Sequence, residues 1–234
     1  MNQKSRNCAR PSIYWQQTQR PTTTFAFALT ALAPAALALL FAIKPATSLA
    51  AEPRKATAEA VAALAQNTTV PAAGAKDADV TIVEFFDYNC PFCKKTAPEL
   101  QKLLHTDPKV RILYKEWPIF GDVSDYAARS ALAAHWQGKF LVAHEALIGA
   151  PNDLDEISQV DAVLKTAGVD LTQLSRDRSA HAAEITAILA RNSKEAAALG
   201  FRGTPGFVIG RQLVPLSLTL QSLQQLTQSA RQSP

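Results

Sequence analysis

Hydrophobic and polar residues follow strand-like and helix-like patterns in turn along this chain. Two runs of β-branched and aromatic residues, VTIVEFF (80–86) and KVRILYKEW (109–117), have strand length. Such continuous runs predict strands that are buried on both faces. Between them, CKKTAPELQKLLH spaces its leucines as a helix does, and Pro91 suits the first turn. Pro98 predicts a kink or break in that helix, within a βαβ unit.

The pattern changes after residue 121. From 122 to 200 no strand-like run occurs, and apolar residues recur at helical spacing, as in SDYAARSALAAHW. Gly138, Gly168 and Gly200 stand where the C-caps of helices belong. We therefore predict a helical block of roughly eighty residues.

The C-terminal part returns to strand-like runs. GFVIG and QLV predict two short strands that are joined by a tight turn at Gly210 and Arg211. The segment SLTLQSLQQLTQSA predicts a final helix, for which Ser217 is the candidate N-cap. The predicted order is β-α-β, a helical insert, and β-β-α.

The N-terminal 50 residues resemble an export signal. A basic start precedes a 19-residue apolar run, and Ser48 and Ala50 would occupy positions −3 and −1 of a cleavage site. The alternatives are an uncleaved membrane anchor and a start codon assigned too early. Each of them places residues 52–234 outside the cytoplasm. A helix over 52–67 and a linker with Pro71 and Gly74 would follow.

The net charge of the chain indicates little about its partners once the N-terminal segment is set aside. The chain has 234 residues, 47% of them hydrophobic, and a formal net charge of +4. Residues 1–50 hold five basic side chains and no acid, which leaves about −1 for the remainder. The basic character belongs to the N-terminus, so we infer no nucleic-acid partner.

The cysteines carry the candidate chemistry. Cys8 precedes the apolar run and would leave with the signal, so the exported part keeps Cys90 and Cys93. A disulfide across two residues closes a very short loop and stabilises a fold little. We therefore interpret the pair as reactive. Cys90 would begin a helix, where its thiol pKa should fall below about 8.5, and Cys93 should be the less exposed, resolving partner.

Glu84 stands six residues before Cys90, and two interpretations apply to it. Strand alternation could turn it to solvent, or it could lie buried beneath the cysteines with a raised pKa and exchange a proton with Cys93. In the second case Lys115, on the adjacent strand, is a candidate charge partner. Thr204-Pro205 could be an ordinary turn, but it directly precedes a buried-looking strand.

Together these motifs resemble a known family. FFDYNCPFCKK after a hydrophobic strand, then the helical insert and GTPGFVIG, look like the DsbA-like thiol:disulfide oxidoreductases of the thioredoxin superfamily, in the exported branch close to ScsC-type proteins. KEWPIFGDVSDYAARSALAAHWQGKF fits that branch as well. The resemblance covers residues 78–230. It implies an α/β, thioredoxin-like fold, a central mixed sheet flanked by helices, with an inserted all-helical subdomain.

The resemblance also implies the parts of a site. Cys90 and Cys93 would be the redox pair, with Glu84 beneath them. Thr204–Pro205 would be a cis peptide facing the disulfide, and its backbone would pair with an extended substrate. Pro91 and Phe92 form the variable dipeptide between the cysteines. No histidine stands there, which leaves the strength of oxidation open.

The predicted organisation follows from these motifs. We expect a signal peptide over 1–50, an N-terminal helix and linker over 51–77, a thioredoxin-like domain over 78–121 and 201–232, and the helical insert over 122–200.

The leading functional hypothesis is a periplasmic dithiol oxidase of exported, cysteine-containing proteins, restored by a membrane thiol-redox partner. The alternatives are an isomerase or reductase that uses the same site, and a Cu(I)-binding copper-tolerance protein. The four histidines are scattered and do not complete a zinc set, so no metal or cofactor is expected. Without a sustained heptad in the short N-terminal stalk, we expect a monomer.

Overall fold

The computed structural model describes residues 54–65, 71–151 and 153–232. The predicted export segment lies outside them. The strands are β1 (Ala72–Gly74), β2 (Val80–Phe86), β3 (Val110–Glu116), β4 (Gly206–Ile209) and β5 (Gln212–Val214). The helices are α1 (Ala58–Ala65), α2 (Pro91–Thr106), α3 (Asp122–Ala133), α4 (Phe140–Ile148), α5 (Ile157–Thr166), α6 (Leu171–Ala180), α7 (Ala182–Ala198) and α8 (Leu220–Gln232), with a 3₁₀ turn at Ala134–Gln137.

The strands form one mixed sheet in the order β1-β3-β2-β4-β5. The central strand β2 runs parallel to β3 and antiparallel to β4, and both outer pairs are antiparallel. In the register of β2 with β3, Glu84 lies opposite Tyr114 and Phe86 opposite Glu116. The mixed sheet with an inserted helical block confirms the predicted fold class.

Strand alternation divides the core between the two faces of the sheet. Ile82 and Phe86 pack on one face with α2 and the helical insert, in the cluster that also holds Cys93. Val83 and Phe85 pack on the other face. Because successive side chains point to opposite faces, Glu84 shares its face with Ile82 and Phe86. The redox pair and the buried acid therefore lie on one side of β2.

The linker predicted before β2 contains a strand that the sequence pattern did not reveal. β1 pairs with the outer edge of β3, with Ala72 opposite Leu113. Its alanine and glycine residues carry no alternating polar and apolar pattern, although Ala73 and Ala72 pack against the cores on the two faces of the sheet. Gly74 has φ 92°, and a Cβ there would collide with the carbonyl oxygen of Val110. Only glycine fits this close approach of two backbones.

The helical insert agrees with its prediction. Helices α3 to α7 occupy residues 122–198. Gly138, Gly168 and Gly200 have φ values of 66°, 86° and 72°, the left-handed conformation that ends helices. No helix in the described ranges is both long enough and apolar enough to cross a membrane.

Two local features differ from what the sequence predicted. Helix α2 runs through Pro98 without the predicted break, because the proline removes only one backbone hydrogen bond and Leu100 and Leu103 stay buried against the core. Helix α8 begins three residues after Ser217, and the hydroxyl of Thr219 accepts from the backbone N–H of Ser222 at 3.2 Å. Ser217 instead lies 2.9 Å from the hydroxyl of Thr96.

Candidate active site

Cys90 is the N-cap residue of α2. After β2 ends, a short turn brings the backbone N–H of Cys90 to the carbonyl of Asp87 at 3.1 Å. Pro91 then occupies the first helical position, where its missing N–H costs nothing. The sulfur of Cys90 accepts a hydrogen bond from the backbone N–H of Cys93 at 3.4 Å. The reactive sulfur therefore faces the positive end of the helix.

These contacts make Cys90 acidic. Its thiol pKa falls from 9.0 to about 6, chiefly because the Cys93 side chain hydrogen-bonds to it, with further help from the Thr204 side chain and the N–H groups of Cys93 and Phe92. Burial acts in the opposite direction and is outweighed. The Thr204 hydroxyl oxygen is buried and forms no hydrogen bond with any described residue, so its proton is available for donation to a Cys90 thiolate. Cys90 is consequently a thiolate at neutral pH.

Cys93 has the opposite character. Burial raises its thiol pKa far above the ordinary value, and the neighbouring Cys90 and Glu84 raise it further. Both cysteines are 0% exposed, but Cys93 lies deeper, since burial is the largest influence on its pKa and only the second largest on that of Cys90. Cys90 is covered because the segment containing Thr204 packs over it, with the Thr204 carbonyl 3.2 Å from its sulfur. Acidity, and not exposure, distinguishes the two sulfurs.

Glu84 lies inside the protein. It is 3% exposed, so the interpretation that turns it to solvent was wrong. Burial, and secondly the charge of Cys90, raise its carboxyl pKa to about 8. Glu84 is therefore mostly protonated at neutral pH. The charge of an ionised Glu84 also raises the pKa of Cys93, so the two groups are electrostatically coupled.

The pairing predicted between Lys115 and Glu84 was wrong. Lys115 follows Tyr114, the residue opposite Glu84, so its side chain points to the other face of the sheet. There it is 0% exposed and its Nζ lies 2.6 Å from a carboxylate oxygen of Glu195 on α7. Adjacent strand positions alternate in direction, which separates the two side chains despite their closeness in the register.

Asp87 is a site residue that the sequence reasoning missed. It is 1% exposed and accepts four hydrogen bonds. The donors are the backbone N–H of Asn89 (2.8 Å), the hydroxyl of Ser124 (2.7 Å), and the backbone N–H groups of Ile119 (2.6 Å) and Phe120 (3.0 Å). The sequence signal that could have identified it is an acidic residue directly after a buried strand. Asp87 ties the turn before Cys90 to the loop after β3.

A second buried acid was also missed. Glu116 is 1% exposed, and neither of its carboxylate oxygens has a hydrogen-bond partner among the residues described. Burial raises its pKa to about 8. Nearby, His144 packs among aromatic rings with its Nδ1 3.3 Å from the hydroxyl of Tyr88, and burial lowers its pKa to about 3. His144 is thus a neutral residue packed in the core.

A groove lies beside the cysteines, and we call it the active-site groove. Its volume is about 510 Å³, and it is lined by Phe92, Arg202, Gly203, Thr204, Pro205, Pro215, Leu216 and Ser217. Phe92 is 59% exposed and Leu216 is 56% exposed, so apolar surface meets solvent here. The Thr204–Pro205 peptide is cis, as the resemblance implied. The structure thus brings the predicted site residues together in one region, whereas Lys115 lies on the other face of the sheet.

No group of three or more histidine, cysteine or acidic side chains is arranged to hold a metal ion within the described ranges. Cys90 and Cys93 are free thiols in the structure.

Comparisons with known proteins agree with this geometry. Residues 81–229 match the sequence model of the DSBA-like thioredoxin domain. A thioredoxin-like oxidoreductase from Silicibacter pomeroyi is 41% identical with a TM-score of 0.70, over 76% of this chain and 100% of that one. The catalytic domain of Proteus mirabilis ScsC is 28% identical with a TM-score of 0.66, over 75% of this chain and 98% of that domain.

Among curated proteins, the probable disulfide bond formation protein D of Bacillus cereus is 27% identical over 158 residues, which cover 62% of this chain and 72% of that protein. The chain spans 13% of the length of the first curated relatives that it matches, Na⁺/H⁺ antiporter NhaA proteins from two Salinispora species.

Proposed function

This chain belongs to the DSBA-like thioredoxin domain family, and from that premise we propose that it is a thiol:disulfide oxidoreductase that oxidises the cysteines of exported proteins. The observation that carries the proposal is the difference between the two sulfurs. The pKa of Cys90 falls to about 6 while that of Cys93 is raised, at the start of one helix. Such a pair has one sulfur suited to exchange and one suited to stay protonated.

In the first step a substrate thiolate attacks the sulfur of Cys90 in the oxidised enzyme. The Cys90–Cys93 bond breaks, a mixed disulfide forms between substrate and Cys90, and Cys93 takes the electron pair of the broken bond. In the second step another substrate thiolate attacks the substrate sulfur of the mixed disulfide and releases Cys90 as a thiolate. The substrate loses two electrons, and the enzyme gains them as a thiolate and a thiol.

Glu84 supplies the proton that these two reaction steps require. Cys93 leaves as a thiolate in a buried site, where its charge is strongly disfavoured. Glu84 is protonated at neutral pH, since its pKa is about 8, and it shares the same face of the sheet. It gives its proton to Cys93 and regains one from solvent before the next cycle. A buried carboxyl with a pKa near the working pH is suited to this role.

The acidity of Cys90 supports oxidation as the working direction. A thiolate that is stabilised in the reduced enzyme makes the disulfide a stronger oxidant, because reduction then gains free energy. An isomerase or reductase would start from the dithiol at the same site. The reduced enzyme of an oxidase needs a reoxidising partner, and we infer a membrane thiol-redox protein.

The proposed compartment is the periplasm. The support is the predicted export segment over residues 1–50 and similarity to a periplasmic thioredoxin-like protein from Salmonella enterica serovar Typhimurium, which is 27% identical with a TM-score of 0.64. An oxidising compartment would keep the pair in its disulfide form between cycles.

The deciding experiment measures oxidation of a reduced two-cysteine peptide by the purified, oxidised protein beside Cys90→Ser and Cys93→Ser variants. We expect the native protein to oxidise one equivalent of peptide, Cys90→Ser to give no reaction, and Cys93→Ser to form a mixed disulfide with a chemically activated substrate. Retained peptide oxidation by Cys90→Ser would exclude the proposal. Reshuffling of scrambled ribonuclease without net oxidation would favour the isomerase, and stoichiometric Cu(I) binding without turnover would favour copper binding.

A further inference from the structure

The active-site groove contains a single charged residue. Of its eight lining residues, Phe92, Pro205, Pro215 and Leu216 are apolar, three are small or hydroxylated, and Arg202 is the only ionised one. No carboxylate among the lining residues offsets this cation. An extended substrate segment in this groove would therefore meet apolar surface with one fixed positive charge.

Arg202 is free to bind a partner. It is exposed, and its guanidinium forms no ion pair or hydrogen bond with any residue in the described ranges. By contrast, Arg231 is bound to both Asp79 and Asp107. A guanidinium presents a planar set of donors that matches a carboxylate in a two-point contact. The groove thus has an unused recognition group at its wall.

The place of Arg202 in the chain puts this group near the reacting sulfur. Arg202 stands two residues before Thr204, whose carbonyl lies 3.2 Å from the sulfur of Cys90. Two residues of backbone span at most about 7 Å, and an extended substrate advances by about the same distance in two residues. A substrate side chain two to four positions from the attacking cysteine therefore comes within reach of the guanidinium.

We propose that Arg202 selects substrates, so that the active-site groove favours extended segments with an apolar side chain beside the reactive cysteine and a carboxylate two to four residues from it. The inference rests on the proposed function, whose substrate class it narrows. The apolar part would dock between Phe92 and Leu216, and the carboxylate would pair with Arg202. Because the ion pair is exposed, the expected preference is roughly 1.5- to 5-fold and is weakened by salt.

The test uses sets of reduced peptides that are identical except for Glu, Gln or Lys at one position, two, three or four residues from a single cysteine. The rate constant of mixed-disulfide formation is measured with oxidised protein at low and high salt. For each peptide we take the ratio of native protein to Arg202→Gln, which cancels the effect of the peptide charge on its own thiol. At one of the three positions, the ratio should be highest for the Glu peptide and lowest for the Lys peptide. At high salt, the ratios for the Glu, Gln and Lys peptides should approach the same value.

Two further variants sharpen the result. Arg202→Glu should reverse the order of the peptides. Arg176→Gln removes an exposed arginine on α6, outside the groove, and should leave the native order unchanged. Equal ratios for Glu, Gln and Lys at every position would overturn the selection by Arg202 while leaving the oxidase proposal intact. Absence of exchange with every peptide would overturn the proposed function, and this inference with it.

Discussion

The sulfur of Cys90 lies 3.2 Å from the main-chain carbonyl oxygen of Thr204, a residue 114 positions further along the chain. A thiol can donate its proton to this carbonyl, whereas a thiolate has none to donate. Ionisation of Cys90 therefore frees the carbonyl of Thr204 to accept from the backbone N–H of a substrate. Cys90 also has no thiol proton in the disulfide form, so the carbonyl of Thr204 is equally free in the oxidised protein that a substrate would attack.

The reduced protein should titrate asymmetrically. Thiolate absorbance should show one group with a pKa of about 6, assigned to Cys90 by its loss in Cys90→Ser, and no second ionisation below pH 9. The reduction potential should then change by about 60 mV per pH unit below pH 6, where two protons accompany two electrons, and by about 30 mV above it. Thr204→Val should raise the pKa of Cys90, and an unchanged value would exclude a hydrogen bond from the Thr204 hydroxyl.

The same ionisation predicts how the stability of the reduced form depends on pH. The pKa of Cys90 is lower in the folded protein than its ordinary value of 9.0. Its stabilising contribution is therefore complete above about pH 9 and is lost as the pH falls through about 6. Urea unfolding of reduced native protein and reduced Cys90→Ser at pH 5 and pH 9 should show a larger difference at pH 9. An equal difference at both values would contradict the lowered pKa.

Glu84→Gln should slow disulfide exchange, because an amide cannot donate a proton to Cys93 as it leaves. We expect a loss of about 10- to 100-fold at neutral pH, within the range of general-acid effects. Glu116→Gln is the matched control, since it changes a second buried acid on β3 whose pKa is also about 8. Its exchange rate should stay near that of the native protein. Equal losses in both variants would point to a structural effect.

Removing the buried carboxyl should also change stability with pH. The pKa of Glu84 is raised in the folded protein, so folding is favoured by its protonated form and loses free energy as the pH rises from about 4.5 to about 8. Glu84→Gln should therefore be more stable than the native protein at pH 9 by a few kcal/mol, on the order of 2 to 4. At pH 4 the difference should be small. An equal difference in stability between Glu84→Gln and the native protein at pH 4 and pH 9 would argue against a buried, neutral Glu84.

Asp87→Asn should destabilise the protein by about 2 to 4 kcal/mol. The four groups around Asp87 all donate to it, and an amide nitrogen would face two of these donors without accepting from them. Chemical unfolding measures the change, and Asp155→Asn, on an exposed acid, should cost less than about 0.5 kcal/mol. A small effect at Asp87 would show that the turn before Cys90 does not depend on this carboxylate.

The ion pair of Lys115 offers a test of packing away from the site. Glu195→Gln leaves the fully buried Lys115 without its counter-charge and should cost about 2 to 4 kcal/mol. Lys115→Met keeps most of the length of the side chain and removes the buried charge, so its unfolding free energy should stay within about 1 kcal/mol of the native value. A larger loss for Lys115→Met than for Glu195→Gln would contradict this account of the pair.

Some features of the fold and the site followed from short stretches of sequence. The apolar run of β2 predicted a strand buried on both faces, Pro91 predicted the start of α2 at Cys90, and three glycines predicted helix ends. Each of these depends on neighbours within about four residues, so local spacing was enough. The spacing of Cys90 and Cys93 likewise indicated a reactive pair, because a loop this short stabilises little.

The tertiary structure decided what depends on residues far apart in the chain. It buried Glu84 on the face of Cys93, turned Lys115 away to Glu195 on α7, and placed the carbonyl of Thr204 over Cys90. The pattern of one strand shows that its side chains alternate, but not what packs against each face. Those partners come from helices and loops dozens of residues away, and burial against them sets the pKa values on which the chemistry depends.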